Sequence, residues 1–119
     1  MAMVTILQSE AVDGDRRAAG LERLAVELER EAAMVAGRLD DVVRAFTDDV
    51  WKGPAATRAR EALVANRARV RGAADELLRV AALLRRRAGD ARAQSADLRR
   101  QADRLTAEQA RLARTALPA

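Results

Sequence analysis

A chain of 119 residues with no Cys, no His and no Tyr has no thiolate nucleophile, no imidazole base, no thiolate or imidazole metal ligand and no disulfide. Half of its residues are hydrophobic, but Ala, Leu and Val supply nearly all of them, and Phe46 and Trp51 are the only aromatics. The net charge of +4 is split unevenly: residues 1–53 carry −4, and residues 54–119 carry +8 with Arg as the only cation.

Ala, Leu, Arg and Glu are strong helix formers, and the β-branched and aromatic runs that strands need are missing. The chain therefore reads as one all-α domain. In the first half, Leu21, Leu24, Leu28, Ala32, Val35, Leu39, Val42, Phe46 and Val50 recur three or four residues apart, the one-face pattern of a helix over about 15–50. Its start has two readings. Asp13 or Asp15 beside Gly14 could cap it, or Thr5 could do so with Gln8 completing a capping box.

The segment Trp51-Lys52-Gly53-Pro54 interrupts the pattern. Gly supplies the positive φ that ends a helix, and Pro at the first helical position starts another with φ already set. A turn is expected over 51–54.

The second helix is expected over about 55–114. Leu63, Val70, Leu77, Leu84, Ala91, Leu98, Leu105 and Leu112 fall every seven residues. Most are followed four residues later by something small or polar: Arg67, Ala74, Ala81, Ala88, Ser95, Ala102 and Gln109. A heptad alternating large with small lets two antiparallel helices approach closely. Gly72 and Gly89 weaken it locally, and Gly89-Asp90 is the expected place for a kink. At 1.5 Å per residue this helix is roughly 90 Å long, against about 54 Å for one spanning 15–50. In a hairpin Leu98, Leu105 and Leu112 then lack an intramolecular partner. An earlier start near Val4 brings Leu7 opposite Leu98 but leaves Leu105 and Leu112 bare. A second chain, or a fold-back near Gly89, is expected to cover them.

No catalytic constellation emerges. A Ser or Thr nucleophile would need Lys, and Lys52 lies at the turn. The acid pairs Asp40-Asp41, Asp48-Asp49 and Asp75-Glu76 put neighbours on different helix faces. No Glu-x-x-His or calcium-loop spacing occurs, so neither a metal nor a cofactor is expected, and the chain reads as no enzyme. No apolar run reaches the ~18 residues of a membrane span, and Met1 to Leu7 is too short for a cleavable signal peptide.

The tripeptide Trp51-Lys52-Gly53, set between two long amphipathic helices, resembles the WXG family of small helical hairpins exported by type VII (ESX) secretion. Phe46 and Trp51 ahead of Gly53-Pro54-Ala55-Ala56 look like the versions found in high-GC actinobacteria. The resemblance spans roughly Leu21 to Ala88. It implies a protein that pairs as a homodimer or heterodimer into a four-helix bundle. It also implies a cytoplasmic origin with export as a substrate, or as the partner of a larger effector, Trp51, Gly53 and Pro54 forming the turn motif. On that reading the pairing surface comprises Leu24, Leu28, Val35, Leu39 and Phe46 with Leu63, Val70, Leu77, Leu84, Leu98, Leu105 and Leu112. The chain departs from the family in lacking a Tyr-x-x-x-Asp/Glu motif after helix 2, which a partner would then have to supply, and in its longer second helix.

The arginines raise a rival reading, since Arg67, Arg69 and Arg71, the run Arg85-Arg86-Arg87, and Arg99-Arg100 could neutralise phosphates. Three consecutive helical residues do not make one flat patch, however, and aromatics for base stacking are lacking. The expected opposite for these arginines is acidic helix 1 or an acidic partner, rather than nucleic acid. A plain coiled-coil scaffold is the third reading.

Overall fold

The structure, a computed structural model, describes residues 2–47 and 53–116; the side chains of Phe46 and Thr47 lie outside that description. It is all-helical. Helix α1 spans Ala2–Thr47 and helix α2 spans Pro54–Ala116, joined by a short turn in the manner of a helical hairpin. The last turn of each carries an arginine, Arg44 and Arg114, where the C-terminal end of the helix dipole favours a cation.

Helix α1 starts at Ala2, far ahead of the Asp13–Asp15 cap, so the expected start near 15 is corrected. Neither aspartate can act as a cap, because the backbone is already helical there and Gly14 is buried inside the seam. Helix α2 continues through Gly72 and Gly89-Asp90, so it does not fold back there. A glycine costs only about 1 kcal/mol in a helix, too little to end one supported on both sides.

At the start of α2, Gly53 has φ of +112° and its carbonyl accepts the Thr57 N–H at 3.1 Å. The Thr57 Oγ1 hydroxyl donates to the same carbonyl at 3.2 Å. Gly53 is thus the N-cap and Pro54 the first helical residue, where its missing N–H costs nothing. No atom lies within 4 Å of where a Cβ on Gly53 would stand, so the glycine is required by its φ alone. Trp51 and Lys52 lie outside the described residues.

The chain forms two compact units, residues 1–23 with 84–119 and residues 24–83. In the first, the segments run antiparallel: Val4 and Leu7 cluster with Ala102, Leu98 and Leu105, Gly14 meets Ser95, and Glu22 bonds Arg92. Its core is made mostly of small side chains, with Ala11, Ala18, Ala88, Ser95 and Ala102 at 1% exposure or less. The second unit buries Ala25, Ala32, Leu39, Ala56, Ala74 and Ala81.

Most buried positions fall every seven residues, in α1 at Val4, Ala11, Ala18, Ala25, Ala32 and Leu39, with Leu7 and Gly14 buried beside that line, and in α2 at Ala74, Ala81, Ala88, Ser95 and Ala102, with Ala56 buried apart from it. This is a coiled-coil repeat in which the innermost position is alanine. Small side chains let the helix backbones come close, and the larger residues beside them pack around the contact. The expected face of α1 is therefore rotated by one residue at Leu24, which is 45% exposed while Ala25 is fully buried.

Candidate interaction surface

Of the residues expected at the pairing surface, Leu39 is buried, whereas Leu28, Val35, Leu63, Val70, Leu77, Leu84, Leu98 and Leu105 are half-buried. Leu98, which an early start of α1 sets opposite Leu7, and Leu105, expected to stay bare even then, both pack on Val4 and Leu7. The early helix start provides that cover. Leu112 remains 55% exposed, within a final stretch, 106–116, that is exposed at every position. Leu24 and Leu112 therefore present free apolar surface. Phe46 and Trp51 fall where no side-chain statement is made.

Further exposed apolar residues stand in each unit. Met3, Ile6 and Val12 lie in the first, and Met34, Val42, Val64, Leu78, Val80 and Leu83 in the second. The second unit also carries an open groove of about 350 Å³ between its helices, floored by Ala32, Ala33, Ala36 and Ala74, with Leu78 on one wall and Glu29, Arg71 and Asp75 at the rim. An apolar floor edged by charges of both signs is what an amphipathic helix presents to a partner helix. In α2 the alternation of large with small marked Ala74, Ala81, Ala88, Ser95 and Ala102, all buried; in α1 periodicity pointed to the leucines and did not single out Ala11, Ala18 and Ala25, because an Ala reads as a weak apolar signal until its seven-residue recurrence is noticed.

In the first unit the helices are also tied by ion pairs. The Arg92 guanidinium donates to both carboxylate oxygens of Glu22, at 2.8 and 2.9 Å, and Arg99 Nη2 donates to Asp15 Oδ2 at 2.5 Å. Two arginines thus face acidic α1, as its charge predicts. Each bond holds its acid below the usual carboxylate range, Arg99 for Asp15 and Arg92 for Glu22, and Glu22 in turn raises Arg92. Ser95 stands near enough to favour the charged form of Asp15 slightly, without a hydrogen bond of proper geometry. Its Oγ is buried and unpaired, and it fills the space a Cβ on Gly14 would take, 2.2 Å from that position.

Among the described residues no group of three or more Asp and Glu is placed to hold a metal ion, and no helix is long and apolar enough to cross a membrane. No family model matches the chain, and neither a curated protein nor a solved structure matches it.

Proposed function

We propose that this hairpin acts by helix–helix association with another protein chain and catalyses nothing itself, as a WXG-type substrate or secretion partner of a type VII system. The observation that carries the reading is the Gly53-Pro54 junction. Two long helices meet at one short turn, and the residue two places after Trp51 is a glycine in a backbone conformation that side chains rarely adopt. The exposed apolar residues of the second unit and the alanine-floored groove supply a surface for a second hairpin in a four-helix arrangement. Because no Tyr is present, the partner would contribute the remaining part of a two-part export signal.

Light scattering with circular dichroism on the purified chain tests the association. A helical particle of twice 12.9 kDa, or a stable one-to-one complex with a second Trp-x-Gly hairpin, is expected. A fully helical monomer that pairs with no such hairpin counts against the proposal. Trp51→Ala separates a secretion role from a scaffold role. A secretion partner loses export or effector pairing while staying folded, whereas a scaffold loses only stability.

A further inference from the structure

The second unit is electrically neutral, with ten cations and ten acids in residues 24–83, whereas residues 1–23 with 84–119 carry twelve cations and eight acids and hold the whole +4. Two copies can therefore meet through the second unit without net repulsion. Its stretch of α2 carries a stripe outside the seam. Val64, Ala68, Arg71, Asp75, Leu78 and Ala82 recur four and three residues apart, and at about 100° per residue all lie within about 40° of one line. That line runs about 90° around the helix from the buried positions Ala74 and Ala81. Every member is exposed, Val64 by 67% and Leu78 by 46%. Arg71, Asp75 and Leu78 also edge the alanine-floored groove, so the stripe borders open space on its α1 side.

The stripe is its own complement in reverse order. If two copies of α2 cross antiparallel about a two-fold axis at the level of residue 73, Val64 faces Ala82 of the second copy, Ala68 faces its Leu78, and Arg71 faces its Asp75, each pair occurring twice. Large meets small and cation meets acid at every level, the same alternation that lets α1 and α2 approach closely within the chain. A slip of one heptad destroys the match. In one direction Val64 meets Asp75, in the other Leu78 meets Asp75, and each sets a carboxylate against an apolar side chain. A merely solvated face needs charge but no such order. Among the described residues neither Arg71 nor Asp75 forms an ion pair within the chain, and Arg followed four residues later by Asp is the weaker orientation for pairing along one helix. Gly72, beside the stripe, has no side chain to hold a second helix off.

We propose that this stripe is where a second copy of the chain docks, α2 against α2 in antiparallel orientation, with two Arg71–Asp75 ion pairs flanking the two-fold axis. The proposal rests on the reading that the hairpin works by association with another chain; it names that chain as a second copy and fixes the register of the contact.

The test is sedimentation equilibrium over loading concentrations from about 1 to about 200 μM, with circular dichroism in the same buffer. Arg71→Asp sets like charges together twice, and so does Asp75→Arg; each is expected to weaken the dimer by at least about tenfold while helix content stays unchanged. An equimolar mixture of the two variants is expected to regain association to within about threefold of wild type, because each chain then supplies the charge that the other requires. A change that acted only on the fold of each chain would not be repaired by mixing. Wild type that stays monomeric over this range, a single variant that dimerises as well as wild type, or a mixture no better than its components would each overturn the proposal. Monomeric wild type that binds a different Trp-x-Gly hairpin overturns the second copy as partner and leaves the association reading standing, whereas a helical monomer that binds neither removes both.

Discussion

Gly14 and Ser95 illustrate how one pair of residues can set local geometry. A side chain on Gly14 would place its first carbon 2.2 Å from Ser95 Oγ but 3.6 Å from Ser95 Cβ, an ordinary contact. Gly14→Ala therefore forces the hydroxyl from its place or parts the helices, and should lower stability by about 1–3 kcal/mol. Ser95→Ala removes a buried hydroxyl with no partner and should cost little. In the double variant the two methyl groups fit, and alanine adds helix propensity of up to about 1 kcal/mol at position 14. Thermal melts of all four proteins should thus show Gly14→Ala as the one unstable member; additive losses in the double variant would rule this packing out. The ion pairs beside this contact make a second prediction. Asp15 and Glu22 are held below the ordinary carboxylate values of 3.8 and 4.5, so the stability they lend is full above those values and is lost as pH falls through the lower folded values. Acid titration by circular dichroism should show wild type losing stability below about pH 4.5, whereas Asp15→Asn/Glu22→Gln should lose less over the same range.

At the level of the helices, the seam separates residues that look alike in a hydropathy plot. Ala18 is fully buried, and Leu24 is 45% exposed. Enlarging the first should be worse than truncating the second: Ala18→Leu is expected to cost about 1–3 kcal/mol by forcing the backbones apart, and Leu24→Ala well under that amount in the isolated chain. Denaturant unfolding gives both numbers, and a larger loss for Leu24→Ala would restore the leucine-centred face. The two helices, the Gly53-Pro54 junction and the alternation of large with small in α2 were legible in sequence, since each rests on a local periodicity or a backbone preference. The start of α1 was not. Asp13-Gly14-Asp15 has the chemistry of a helix cap, and only the contact of Gly14 with Ser95, eighty-one residues away, shows that the glycine serves packing instead. The cover of Leu98 by Leu7 followed from the earlier of the two starts, whereas the cover of Leu105 was missed, because it depends on how far α1 extends toward its first residues.

Across the whole molecule, the two units divide the chemistry. The neutral unit holds the turn, the alanine-floored groove and most of the exposed large apolar side chains, whereas the charged unit holds the interhelical ion pairs. The inner arginines were readable as opposites of acidic α1, and two of them take that role.

The seven-residue recurrence of alanine has a further consequence for registration. If α2 slid by one heptad against α1 in the first unit, alanine would replace alanine at most of the seam. The charges would not object either, because Arg85, Arg92 and Arg99 share the same spacing, and Asp15 and Glu22 could take Arg92 and Arg85. Arg92 already acts on Asp15, and Arg85 on Glu22, through space. What distinguishes the observed alignment is the notch at Gly14 that admits Ser95, the cluster of Val4 and Leu7 with Leu98 and Leu105, and the tether of the turn. The helix pair of the first unit is thus translationally degenerate and indexed at a few points, and a change at those points would shift its alignment while leaving its helix content untouched.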